Sequence, residues 1–228
     1  PSAQLAPEVP MTLIAVPHEP GVDETSLRDR VVDEALRQAE LHGWEAVRLT
    51  EVAARLALPM APVLAEFRDL DAVANGWFAR GLDAMLADKP DGFAHWPEAQ
   101  RLEHCLLAWC DALAVHRRVT VEMLHTKAHP PHLHTWVPMV FDLSRIVQWW
   151  REAARLPAPY GTRRAQVEEL ALTGLFLATL AAWARDTSEG QVRTRRFLER
   201  RLAHGARWMN RMPGEPDGGR AREASRQR

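Results

Sequence analysis

Residues 49–73 read LTEVAARLALPMAPVLAEFRDLDAV, and this stretch decides the fold. Thr50 is placed to cap a short helix with the sequence EVAARLA, which Pro59 ends. A third short helix follows over about 60–66, and Asp69 can cap a long fourth helix. Two short helices joined by a sharp break, with a long helix behind them, predict a helix-turn-helix.

The chain before this stretch adds one long helix. Ser26 and Asp29 resemble a capping box in which Asp replaces the usual Glu, and Gly43 ends the helix from a C′ position. Small and apolar residues form one stripe along it, at Leu27, Val31, Ala35 and Ala39. Residues 1–22 contain five prolines and no periodicity, so we predict a disordered arm there.

The chain after residue 90 is predicted to be helical as well. Five further segments have helical periodicity between breakers, which gives about nine helices, and no segment alternates like a strand. We therefore predict an all-α protein. Its parts are the arm over 1–22, a helix-turn-helix module over 23–90, a larger helical domain over 91–212 and a disordered basic tail over 213–228.

The net charge of −1 is unevenly distributed. Residues 26–90 contain eight basic and eleven acidic residues, whereas residues 193–228 contain eleven arginines and four acidic residues. A polyanion that binds by charge alone should therefore prefer the C-terminal segment to the predicted module.

Several features favour a cytoplasmic protein. Cys105 and Cys110 lie five apart on one predicted helix, so their thiols diverge, and free thiols suit a reducing compartment. The N-terminal segment has none of the features of a signal peptide. The apolar stretch 170–183 is too short to span a bilayer and is predicted to be a buried helix.

The N-terminal pattern resembles the TetR family of transcriptional regulators. That family has an Ala-rich first helix, a glycine and then the pattern ltveeIAarAGVSkgtlYrhFpsKeaL. Its core positions are matched without a gap by Leu49, Val52, Ala53, Phe67 and Val73. The resemblance implies an operator-binding module followed by a ligand-binding and dimerisation domain, with a homodimer built from helices at about 163–185 and 190–210.

By this resemblance the third helix would read DNA. The DNA-contact candidates are Arg48, Thr50, Arg55, Met60, Ala61, Pro62, Leu64 and Arg68. Direct readout and phosphate contact use cations, hydroxyls, amides and free backbone N–H groups. Within residues 60–66 the side chains are apolar except for the carboxylate of Glu66, so this reading helix is atypical and weakly basic.

The C-terminal part resembles the lipid-binding accessory proteins of ubiquinone biosynthesis and regulators related to them. The shared residues are Trp183, Asp186, Ser188, Thr194, Phe197, Leu198 and Arg201, with Thr162, Arg163, Arg164 and Ala165 upstream. The Asp-rich segment and the Trp-Tyr pair of that family are missing here. This resemblance implies a lipid or quinone ligand.

Large apolar side chains in the second half suggest a pocket for a small apolar or lipid ligand. The candidates are Trp109, Met123, Trp136, Met139, Phe141, Trp149 and Phe176. Plain core packing explains them equally well. Trp149 and Trp150 cannot both face the same way on one helix.

The dimer-interface candidates lie on the last two helices. They are Leu175, Ala178, Trp183, Phe197, Leu198 and Leu202, with burial inside a monomer as the alternative. The last helix also mixes Arg with apolar residues, which would allow peripheral contact with an anionic membrane.

No pattern predicts catalysis, a cofactor or a metal. His125 and His129 are four apart, and His132 and His134 follow, but surface histidines near a helix end explain this cluster better than a metal site. Two functions remain open: a one-component regulator that senses a small apolar ligand, and an accessory protein that binds lipid or quinone without binding DNA.

Overall fold

The computed structural model describes residues 26–128 and 133–209. At 128, 133–141 and 208–209 the description is of the backbone alone. The predicted arm and tail lie outside these residues. The described part contains nine α-helices and no strand, which confirms the all-α prediction. They are α1 Leu27–His42, α2 Leu49–Arg55, α3 Met60–Glu66, α4 Leu70–Leu86, α5 Glu98–Ala114, α6 Arg117–Ala128, α7 Leu133–Ala153, α8 Arg163–Ala184 and α9 Val192–Met209.

Local capping sets the helix ends of the N-terminal module. The Ser26 hydroxyl accepts a hydrogen bond from the Asp29 amide at 3.0 Å, and Asp69 accepts one from the Ala72 amide at 2.7 Å. Gly43 has a φ of 87° where α1 ends, a conformation that favours glycine. The sequence predicted all three ends because each depends on a short segment of chain.

The start of α2 corrects one prediction. The N-cap is Arg48, and its carbonyl accepts from the amides of Glu51 and Val52 at 3.0 Å each. Thr50 therefore lies exposed in the first turn of α2 and does not cap it. Because the backbone of Arg48 is extended, with φ −127° and ψ 125°, α2 begins earlier in the chain than predicted.

The turn between α2 and α3 is built on a left-handed alanine. Ala57 has a φ of 53°, its amide donates to the Ala54 carbonyl, and the Leu58 amide donates to the Ala53 carbonyl at 2.9 Å. This pair of bonds is a Schellman motif, in which the left-handed position is usually glycine. The turn fixes α3 against α1 and α2, with Val63 and Phe67 buried.

Helix α4 joins the module to the rest of the chain. It packs along α1 on one side and along α5 on the other. A Cβ atom at Gly81 would lie 2.8 Å from Nε1 of Trp109, so glycine is required for α4 and α5 to approach this closely. The described helices therefore share one continuous core.

Aromatic side chains fill the core of the C-terminal domain. The ring of Trp109 lies 5.4 Å from that of Phe176 and 6.5 Å from that of Trp183. Trp150 is fully buried and its indole N–H donates to the Leu102 carbonyl at 2.9 Å. Trp149 is 45% exposed, so the two neighbouring tryptophans do face different ways.

Helix α8 is buried on one face only. Its buried residues are Ala165, Glu168, Leu172, Phe176, Thr179 and Trp183. The opposite face exposes Leu170 by 75% and Leu177 by 48%, which differs from the buried helix that we predicted. By length and composition alone, α8 is long enough and apolar enough to cross a membrane.

Candidate DNA-reading surface and ligand cleft

Helix α3 presents an apolar surface to solvent. Met60 is 37% exposed and Leu64 is 58% exposed, and Ala61 and Pro62 are exposed beside them. Val63 points inward and is fully buried. The outward side chains of Met60–Leu64 thus offer methyl and methylene groups, and the next exposed polar group along α3 is the Glu66 carboxylate.

Arginines close to this surface have partners within the chain. Arg48 donates to the Glu45 carbonyl at 2.8 Å and to the Val47 carbonyl at 3.0 Å. Arg55 lies 3.8 Å from the buried carboxylate of Glu34. A phosphate would compete with these contacts for Arg48 and Arg55.

Arg28, a cationic candidate of the module, makes a contact at this surface that the sequence did not predict. Its guanidinium is 2.7 Å from a Glu66 carboxylate oxygen and stacks 5.0 Å from the Phe67 ring centroid. The contact ties the start of α1 to the end of α3. Spacing could not reveal it because 38 residues separate Arg28 from Glu66. Arg68 is exposed just after Phe67.

The turn between α8 and α9 is organised by Asp186. Its Oδ1 accepts from the Ser188 amide at 2.8 Å, and its Oδ2 accepts from the Thr194 amide at 2.8 Å and the Thr194 hydroxyl at 2.7 Å. Burial alone would raise the pKa of Asp186, but these hydrogen bonds, with that from the Ser188 hydroxyl, outweigh it and hold the pKa well below 3.8.

The buried indole next to this turn extends the network. Trp183 Nε1 donates to Gln191 Oε1 at 2.5 Å, and Gln191 Nε2 donates to Asp111 Oδ1 at 2.8 Å. Arg195 contacts both carboxylate oxygens of Asp111, at 2.8 and 2.7 Å. The Trp, Asp, Ser and Thr of the C-terminal pattern therefore hold α5, α8 and α9 together.

The predicted dimer-interface residues occupy different environments. Trp183, Leu198 and Leu202 are buried within the chain, Leu175 and Phe197 are half-buried, and Ala178 is exposed. Five residues form the exposed stripe on α8, which is named the α8 stripe: Leu170, Gly174, Leu177, Ala178 and Ala181. Their helical spacing was available in the sequence, but the side on which α8 packs was not.

A cleft of about 470 Å³ opens between α5, α8 and α9. Its apolar lining includes Ala99, Leu102, Leu156, Ala171, Leu172, Gly174, Leu175, Ala178, Leu202, Gly205 and Ala206. Its polar lining is Glu98, Arg164, Glu168, Arg201 and His204. We name it the α5/α8/α9 cleft. Leu175, Ala178 and Leu202, which the sequence assigned to a dimer interface, lie on its wall.

The predicted ligand-pocket residues lie elsewhere. Trp109, Met123 and Phe176 are buried in the core, and Trp149 is on the surface. Trp136, Met139 and Phe141 fall outside the side chains that are described. Their role in a ligand pocket stays a prediction.

The polar end of the cleft contains a buried ion pair. Glu168 accepts from Arg164 Nε at 2.8 Å and from Arg151 Nη2 at 3.3 Å. Arg151 is only 3% exposed and also donates to the Ala158 carbonyl. Its Nε and Nη1 atoms have no hydrogen-bond partner within the described part of the chain.

The other candidate groups form no reactive site. Both cysteine thiols are free and buried, and burial raises the pKa of Cys110 to about 12. Among residues 26–128 and 133–209, no group of three His, Cys, Asp or Glu side chains could hold a metal ion. His125 is exposed, whereas His129, His132 and the side chain of His134 lie outside the described part of the chain.

The apolar side of α9 packs against other helices of the same chain. Leu198 and Leu202 are buried, while Arg193, Arg196, Arg200 and Arg207 are exposed. The exposed face of α9 is therefore basic, and Leu198 and Leu202, two of the apolar residues that would enter a lipid interface, are buried within the chain.

Two comparisons with known proteins found similarity, one to the C-terminal helices and one to most of the chain. A family model, COQ9, matches residues 162–208, which contain α8, the Asp186 turn and most of α9. No curated protein matches the chain. A solved structure, the TetR transcriptional regulator from Nitrosomonas europaea ATCC 19718, is 39% identical, with a TM-score of 0.69. The alignment covers 78% of this chain and 97% of that one. This chain belongs to the TetR family of transcriptional regulators.

Proposed function

We propose that this TetR-family protein is a non-enzymatic, cytoplasmic, homodimeric regulator that binds operator DNA and responds to a small apolar ligand. The observation that supports it is α3, which lies on the surface as the second short helix of a helix-turn-helix. A ligand that binds one arrangement of the C-terminal domains better than another would change the spacing of the two modules.

The chemistry of α3 defines how such a module would recognise DNA. Met60, Ala61 and Leu64 can contact thymine methyl groups, and these contacts discriminate less than bidentate hydrogen bonds. Cations must come from outside α3, from Arg48, Arg55 and Arg68. The phosphate contribution is accordingly small, and we expect weak affinity that depends on DNA shape and on methyl contacts.

A second function is favoured by a separate observation. The match to COQ9 over residues 162–208, together with an apolar reading helix, suits an accessory protein that binds lipid or quinone and does not bind DNA. In that case the module would be retained for stability, because α4 shares its core with α5. The α5/α8/α9 cleft would hold the ligand in either function.

Titration of DNA separates the two functions. Fluorescence anisotropy would be measured with DNA from upstream of the protein's own gene and with a scrambled fragment of equal length, at about 50 and about 200 mM salt. The regulator requires preference for the native fragment at the higher salt. Leu64→Glu should abolish this preference, whereas Val115→Glu, on an exposed residue at the end of α5, should not. Sequence-independent binding at low salt alone, or none, would overturn the regulator and favour the accessory protein.

A further inference from the structure

We infer that the α5/α8/α9 cleft binds an amphiphile whose headgroup is a carboxylate, with the hydrocarbon chain between α8 and α9 and the carboxylate at Arg151 and Arg164. The inference names the class of ligand for the proposed function. Only the role of this ligand as a signal rests on that function. Two observations support it: the apolar wall of the cleft and the incomplete hydrogen bonding of a buried guanidinium.

The wall of the cleft suits a flexible hydrocarbon chain. Leu102 of α5, Leu172 and Leu175 of α8 and Leu202 of α9 contribute branched side chains from three helices. No described atom lies within 4 Å of a Cβ atom built on Gly205, so the α9 side is open. A cavity of about 470 Å³ is in the range of pockets that bind small ligands.

Arg151 supplies the reason for an acceptor headgroup. A guanidinium has five N–H donors, and leaving buried donors without acceptors costs free energy. Arg151 is 3% exposed, and its Nε and Nη1 atoms lack partners within the described residues. Glu168 lines the cleft and contacts Arg151, so Arg151 lies directly behind the cleft wall. A ligand oxygen that displaces Glu168 Oε2 would take its place at Arg151 Nη2 and could shift the guanidinium so that the unpaired donors gain an acceptor.

The charges around the cleft favour an anion over a cation. Arg164, Arg201, Glu98, Glu168 and His204 line the cleft, and Arg151 and Arg164 both pair with Glu168. The three arginines and the two carboxylates sum to one positive charge. A carboxylate accepts only, so it suits unpaired donors, whereas an ammonium headgroup would face arginines.

Calorimetric titration of the full-length, delipidated protein tests the inference. The probes are dodecanoate, dodecanol and dodecyltrimethylammonium, each below its micellar concentration. We expect one dodecanoate per chain, bound at least tenfold more tightly than either of the other probes. Equal affinity for dodecanoate and dodecanol would overturn the headgroup assignment, and no binding would overturn the inference as a whole.

Matched variants locate the site. Gly205→Leu should fill the cleft and weaken dodecanoate binding at least tenfold while strengthening the helix, and Ala203→Leu, on the exposed face of α9, should leave binding unchanged. Arg151→Gln should weaken dodecanoate but not dodecanol. If that variant does not fold by circular dichroism, the half-exposed Arg164→Gln replaces it with the same expectation. Unchanged dodecanoate affinity in Gly205→Leu or in a folded Arg variant would contradict the site.

The outcome is independent of DNA binding. Dodecanoate binding without operator binding would refute the regulator and leave this inference intact. Operator binding without dodecanoate binding would refute this inference alone. If sedimentation shows a dimer and no probe binds, the inference is wrong, and Gly174 and Ala178, which belong both to the cleft and to the α8 stripe, assign the cleft to the interface between the copies.

Discussion

Arg118 on α6 binds Glu40 at the end of α1, with 2.9 Å between Nη2 and Oε2. The same nitrogen donates to the Glu40 carbonyl at 2.7 Å and to the Ala39 carbonyl at 3.1 Å. One turn along α6, Glu122 accepts from the Trp44 amide at 2.8 Å. Helix α6 therefore binds two carbonyls in the last turn of α1 and the Trp44 amide that follows it, and it connects the C-terminal domain to the helix-turn-helix module.

Loss of this contact should loosen the junction without unfolding the protein. In Arg118→Ala we expect faster amide hydrogen exchange at the end of α1 and at Trp44, because the last carbonyls of α1 lose their external donor. Mass spectrometry of deuterium uptake would measure it. The control is Arg145→Ala, whose ion pair is with Asp142 three residues away on α7. Unchanged exchange in Arg118→Ala would mean that α6 does not support this end of α1.

The Asp186 turn predicts a pH-dependent stability. Because hydrogen bonds lower the pKa of Asp186 in the folded state, the carboxylate stabilises the fold above its ordinary pKa of 3.8. This stabilisation is lost as the pH falls through the lower folded-state pKa. At pH 7, Asp186→Ala should reduce the free energy of unfolding by about 2 to 4 kcal/mol, since two backbone amides lose a charged acceptor.

Urea denaturation over a series of pH values would measure this difference. The gap between the native protein and Asp186→Ala should be constant above about pH 5 and should narrow below pH 3.8. Asp142→Ala, on a carboxylate paired only with Arg145 on the surface, serves as the control and should change stability little. A gap that persists unchanged into acid would show that the carboxylate charge is not the cause.

The left-handed alanine between α2 and α3 predicts a stabilising substitution. Ala57 has a φ of 53°, which is unfavourable for any residue with a Cβ atom. We expect Ala57→Gly to raise the free energy of unfolding by about 1 kcal/mol, measured by thermal denaturation. Ala54→Gly, at an exposed position within α2, should lower the free energy of unfolding by about the same amount. A destabilised Ala57→Gly would contradict the strain assigned to this turn.

The sequence predicted those features that depend on neighbouring residues. Ser26 and Asp69 cap the helices that they were expected to cap, because an N-cap needs only the next three residues. Thr50 failed as a cap because the extended backbone at Arg48 starts α2 earlier. Local patterns thus predict which segments are helical, whereas the residue at which a helix begins can differ from the prediction.

The cleft could not be predicted because it depends on how distant helices pack. Its wall combines Leu102, Leu172 and Leu202, which are 30 to 100 residues apart in the sequence. Arg151 and Glu168 are separated by a connection whose path the sequence does not specify. Of the aromatic residues that suggested a pocket, Trp109 and Phe176 are buried in the core, where Trp109 packs on Phe176 and Trp183.

The α8 stripe predicts the surface through which two copies associate. Leu170 and Leu177 expose branched apolar side chains on one side of a helix whose other side is buried, and Gly174 between them permits close approach. If two copies pair there, Leu177→Glu should place an unpaired charge in an apolar interface, at a cost of about 3 kcal/mol or more, so the dimer Kd should rise about a hundredfold or more. Sedimentation equilibrium would measure Kd, with Val115→Glu, on a residue 77% exposed at the end of α5, as the control that should leave it unchanged. A dimer of undiminished stability in Leu177→Glu would mean that the copies associate through another face.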